Sequence, residues 1–138
     1  ITKSATCYFN DLGFRNHAQG IMGNLVLNEQ FGFVFQNFVF LILKEICRWK
    51  NFTIHFWRTT DKAEVDFILN KGTVTIPVEV KYGEIVRPTV TRSFRNFIEK
   101  HNPTEAWIID RSLDEKIIIN KTEVCFMPFW KLFEKQVQ

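Results

Sequence analysis

The chain has 138 residues, 46% hydrophobic and 15% aromatic, with 18 basic against 15 acidic side chains. That length suits one domain able to bury a core without disulfides or a structural metal, and a charged fraction of 24% excludes wholesale disorder. A net charge of +3 permits a local basic patch but is not that of a strongly basic nucleic-acid-binding protein.

In chain order, Thr6 to Asn10 reads as a short strand, and Asp11 caps a short helix through Ala18 that Gly20 and Gly23 close. Asn28 caps a long helix from Glu29 to Trp49. Its apolar stripe of Phe31, Phe35, Phe38, Ile42 and Ile46 recurs every three to four residues. Thr53 to Thr59 alternates as a strand, and Ala63 to Asn70 and Val74 to Tyr82 form a hairpin across Lys71-Gly72. Pro88 precedes a helix from Val90 to His101, ended by Asn102-Pro103. Ala106 to Asp110, Lys116 to Asn120 and Val124 to Phe126 are apolar strands, and Pro128 opens a terminal helix over Phe129 to Gln136. The order predicts an α+β fold, α/β-like in its packing, with the long helix against a mixed sheet.

The three cysteines, Cys7, Cys47 and Cys125, are odd in number and widely spaced, which excludes a disulfide framework or a zinc ribbon. They read as buried free thiols of a reducing cytosol. His17, His55 and His101 have no metal-ligand spacing. No segment reaches the roughly 18 apolar residues of a membrane span, and no signal-peptide pattern opens the chain, so a cytoplasmic protein is expected. An Ile at position 1 reads as a processed chain or a domain cut from a longer one.

Chemistry concentrates in Ala63-Glu64-Val65-Asp66-Phe67 and Ile76-Pro77-Val78-Glu79-Val80-Lys81. With Lys71-Gly72 as a two-residue turn, Val65 faces Val78, Phe67 faces Ile76, Leu69 faces Val74 and Ala63 faces Val80. All of these are apolar pairs on one face. Glu64, Asp66, Ile68, Thr75, Pro77, Glu79 and Lys81 take the other face, because side chains alternate along a strand. Asp66 then lies diagonal to Glu79, roughly 7–8 Å away between Cα atoms. Two convergent carboxylates are oxygen ligands for Mg²⁺ or Mn²⁺, and a Lys two residues past the Glu is placed to orient a water or meet developing charge. A solvated strand face with ion pairs such as Glu64 to Lys81 is the plainer alternative.

These pieces, together with Tyr8-Phe9-Asn10-Asp11-Leu12-Gly13-Phe14-Arg15-Asn16, Phe35-Gln36-Asn37-Phe38-Val39-Phe40, Trp57-Arg58-Thr59, Arg95-Asn96-Phe97 and Pro128-Phe129-Trp130, carry a resemblance. The chain resembles the C-terminal domain of unknown function that follows the ATPase module of many archaeal and bacterial AAA-type proteins. That domain looks like a member of the PD-(D/E)XK nuclease superfamily. The resemblance implies a restriction-endonuclease-like αβββαβ core spanning residues 1–138 as one domain, the C-terminal part of a longer ATPase. It implies Asp66 and Glu79 as metal ligands, Lys81 as the catalytic lysine, and Gln36 at the position of the superfamily's helical acidic residue. An amide there accepts a hydrogen bond but adds no negative charge. Glu64 would join Gln36 in an outer shell.

DNA is the implied partner, besides the ATPase half of the same polypeptide. Arg58, Lys62, Arg92 and Arg95 are the candidate phosphate contacts, with an ordinary solvated face as the alternative. Trp57, Trp107 and Trp130 are able to stack on bases, but their positions favour core packing. No G-x-x-x-x-G-K-[ST] loop occurs, so this chain is not expected to bind ATP. A catalytically silent copy of the fold, used for binding or docking, is the rival reading.

Overall fold

The computed structural model describes residues 6–22, 31–60 and 63–137, with no side-chain detail beyond residue 135. Its order is α1 (Leu12–Ala18), α2 (Phe31–Lys50), β1 (Thr53–Arg58), β2 (Glu64–Lys71), β3 (Val74–Val80), α3 (Arg92–His101), β4 (Glu105–Asp110), β5 (Glu115–Ile119) and β6 (Thr122–Pro128). A 3₁₀ turn, Phe129–Phe133, leads into α4 (Glu134–Val137). The strands form one six-stranded mixed sheet in the order β1-β2-β3-β4-β6-β5. The hairpins β1–β2, β2–β3 and β5–β6 are antiparallel, while β4 runs parallel to both β3 and β6. This is an α+β fold, as the element order predicts.

Both faces of the sheet are covered. Val39, Leu43 and Ile46 of α2 pack with Phe67, Leu69, Val78 and Ile109. On the opposite face Phe94, Phe97 and Ile98 of α3 pack with Val65, Ile68, Ala106, Ile108 and Phe126. The plainer alternative, a solvated strand face, does not hold at the centre of the sheet: Ile68 and Pro77, placed on that face by the alternation argument, are buried.

The β2–β3 register differs from the sequence expectation by two residues. Phe67 pairs with Val78, Leu69 with Ile76 and Lys71 with Val74, so the turn is Gly72-Thr73. Gly72 takes φ +57°, the positive value that the first position of a tight hairpin loop demands and that only glycine adopts cheaply. Lys71 stays in the strand, where its Nζ donates to the Lys50 carbonyl at 2.8 Å. A shift of two preserves which face each side chain takes.

One element of the alternation does break. His55 pairs with Ile68 and Trp57 with Val65, so Phe56 of β1 opposes both Asp66 and Phe67 of β2. This bulge inserts a residue into β2. Val65 leaves the face of Phe67 and joins Ile68 in the α3 core, which corrects the expected Val65–Val78 pair.

Smaller corrections follow from local partners. Residues 6–10 form no strand. The Asn37 side chain instead accepts from Phe9 N and donates to Phe9 O, both at 2.8 Å, as a neighbouring strand would. Helix α3 starts at Arg92 because Thr91 caps it, its Oγ1 accepting from Phe94 N at 3.3 Å. Pro128 ends β6 and is followed by the 3₁₀ turn rather than directly by an α-helix. Cys47 and Cys125 are buried but Cys7 is exposed. Trp107 is core, whereas Trp130 is 48% exposed. Gly23, Asn28, Glu29 and Lys62 lie outside the described residues. Among the described residues no helix is long and apolar enough to cross a membrane.

Candidate active site

The β2 bulge decides where Asp66 points. With Val65 and Ile68 turned to α3, Asp66 turns toward α2, where the Gln36 Nε2 donates to its Oδ1 at 2.9 Å. Its Oδ2 accepts from Val80 N at 2.8 Å, beyond the last paired residues of the hairpin, Phe67 and Val78. Gln36 also contacts the Tyr8 hydroxyl at 3.1 Å. Glu79 approaches from the α3 side. It is 7% exposed, its Oε2 accepts from the Thr91 hydroxyl at 2.9 Å, and its Oε1 lies 2.5 Å from the Lys81 ammonium.

The two carboxylates and the lysine meet in one cleft of about 410 Å³. Gly32 and Gln36 bound it from α2, Thr91 and Ser93 from the start of α3, and Glu64 and Tyr82 from the strand ends. Gln36, Asp66, Glu79 and Lys81 thus share a single opening, but not the single sheet face that alternation predicts for the last three: the bulge turns Asp66 to the α2 side while Glu79 points to the α3 side.

Among the described residues Asp66 and Glu79 face one lysine, Lys81, so the cleft stays electronegative even with Glu64 neutralised by Arg58 at 2.6 Å. Asp66 registers this. Burial, foremost, and the charge of Glu79 push its pKa up from 3.8 to about 6, against the Val80 N–H and the Lys81 charge, which favour the carboxylate. Burial and the Asp66 charge also raise the Tyr8 phenol, so Tyr8 is a neutral hydrogen-bonding group at physiological pH.

Among the described residues no three His, Cys, Asp or Glu side chains are grouped to hold a metal ion by themselves. The donors that are present do fit Mg²⁺, which is commonly held through one or two carboxylates while waters and substrate phosphate complete its shell. Asp66 and Glu79 would supply the carboxylates. Each of their oxygens takes one donor here and keeps a second lone pair.

Of the basic candidates, the described ones, Arg58, Arg92 and Arg95, do not line the cleft. Arg58 ends β1 beside a neighbouring pocket and is occupied by Glu64. Arg92 and Arg95 are exposed on α3. Two residues of the site went unpredicted. Thr91 carried a signal as a helix-capping Thr, but not for its second bond to Glu79. Tyr8 belongs to a segment whose packing the sequence alone does not reveal.

Residues 31–131 match the family described as a domain of unknown function, DUF4143. The chain belongs to the DUF4143 family. The matched stretch begins at the start of the described part of α2 and ends in the 3₁₀ turn, so it holds Gln36, Asp66, Glu79, Lys81 and Thr91 but not Tyr8. No curated protein matches this DUF4143 chain.

Proposed function

We propose that this DUF4143 chain is a metal-dependent nuclease domain of the PD-(D/E)XK type that hydrolyses DNA phosphodiesters and forms the C-terminal part of an AAA-type ATPase. The observation that carries the reading is the convergence of Asp66, Glu79 and Lys81 in one cleft, reached from opposite faces of the sheet. The element order, a helix, three antiparallel strands, a helix and a parallel strand, is compatible with a restriction-endonuclease-like core.

A divalent ion at Asp66 and Glu79 would neutralise a phosphate and lower the pKa of a water. Asp66, its pKa raised first by burial and then by the charge of Glu79, is a carboxylate whose charge a bound cation would offset. Lys81, held by Glu79, is the one ammonium lining the cleft among the described residues, placed to orient the attacking water or to meet charge on a phosphate oxygen. Thr91, which also lines the cleft, holds Glu79 by the hydrogen bond from its hydroxyl. Arg92 and Arg95 would meet flanking phosphates. The test is cleavage of supercoiled plasmid with Mg²⁺ or Mn²⁺. Wild type should nick it, and Asp66→Ala and Lys81→Ala should lose at least about a hundredfold, the scale of removing one charge-stabilising group. Equal rates for all three contradict the reading.

One observation favours a second reading, a silent module that binds DNA or docks on the ATPase half. Gln36 donates to Asp66 where an acid would have shared a cation, and Lys81 and Thr91 engage both Glu79 oxygens. In that case calorimetric titration with Mn²⁺ gives no heat at millimolar metal while DNA binding persists.

A further inference from the structure

Next to the cleft lies a second pocket of about 360 Å³ that shares Gln36, Glu64 and Asp66 with it. Its wall is a stack of three rings. Phe56 lies parallel to Tyr8, centroids 5.4 Å apart and planes 6° from parallel. Tyr8 in turn stacks on Phe33 at 5.7 Å. Phe56 is 58% exposed although it sits on a strand. The bulge explains the position, because Phe56 is the single residue opposing Asp66 and Phe67, so its ring and the Asp66 carboxylate are held side by side. Arg58 stands at the same pocket, its guanidinium bound to Glu64 through one nitrogen, leaving other N–H groups for an acceptor.

An open aromatic shelf beside a phosphate-handling centre matches the way unpaired nucleic acid is held: bases stack on rings while the backbone follows polar groups. We propose that the exposed Phe56 ring, backed by Tyr8 and Phe33, receives an unpaired base of a DNA strand whose backbone crosses Asp66 toward Glu79 and Lys81. The preferred substrate is then a single strand, flap or frayed end rather than continuous duplex. A base inside a duplex already has both faces stacked and must first be extruded. This inference rests on the nuclease reading for the direction of the strand, but the shelf itself is testable without cleavage.

The experiment measures binding of labelled oligothymidylate and of a hairpin duplex of equal length to the full chain in Ca²⁺, with a 2-aminopurine strand as a reporter of stacking. Wild type should bind the single strand more tightly and quench 2-aminopurine. Phe56→Ala should weaken single-strand binding about tenfold or more, the effect of losing one base–ring stack. Phe56→Trp should restore both affinity and quenching, which separates lost stacking from lost folding. Equal affinity for both DNAs, or single-strand binding indifferent to Phe56→Ala, overturns the shelf even if plasmid is cleaved. Phe56-dependent binding without any cleavage leaves the shelf standing and removes the nuclease reading. Phe56-dependent self-association in sedimentation, with no Phe56-dependent DNA binding, also overturns it.

Discussion

Asp66 ties the chemistry to stability. Its folded-state pKa of about 6 lies above the ordinary 3.8. Between those values the folded protein holds a proton that the unfolded chain releases, so stability falls as pH rises through this window and stays lower above it. Asp66→Asn removes the buried charge and keeps an acceptor for Val80 N, with the Gln36 amide turned to accept from the new amide. Urea unfolding in a chelator should find Asp66→Asn about 1–3 kcal/mol more stable than wild type at pH 8, the scale of a shift of this size. The gap should close toward pH 4. A gap independent of pH would mean that Asp66 is not desolvated as described. The identities of Asp66, Glu79 and Lys81 as a set were legible in the sequence. The partners that hold them, Tyr8 and Thr91, were not, because hydrogen bonds across 12 to 28 positions leave no local pattern.

At the scale of elements, the two devices that aim the site are a turn and a bulge. Periodicity located β2 and β3 but misplaced their turn by one residue, since Lys71-Gly72 and Gly72-Thr73 pair apolar side chains about equally well. What decides is backbone conformation, with glycine first in the loop. The bulge was illegible because it depends on how β1 meets β2, not on β2 alone. Gly72→Ala should therefore cost about 1 kcal/mol in chemical denaturation, a loss that comes from strain at positive φ. Thr91 caps α3 and holds Glu79 with one hydroxyl. Thr91→Val should cost about 1–2 kcal/mol, the usual loss of a cap, while Thr91→Ser should cost a few tenths. A Val variant as stable as wild type would deny Thr91 both roles.

For the molecule as a whole, element order gave the α+β class, and the fifteen phenylalanines supply a core rich in rings. That core divides in two around the sheet, and the charged residues gather where the sheet ends between α2 and α3. The α3 core should be as demanding as the α2 core. Phe94→Ala, at a fully buried ring, should cost about 3–5 kcal/mol by thermal or chemical unfolding. A loss below 1 kcal/mol would show α3 to be peripheral.

The central claim is that Asp66 and Glu79 together hold a divalent cation, and anomalous scattering from crystals soaked in millimolar Mn²⁺ tests it most directly. A Mn²⁺ peak touching both carboxylates, with Lys81 beside it, is expected. Well-ordered Asp66 and Glu79 with no peak between them, still bonded to Gln36 and Lys81, would contradict it.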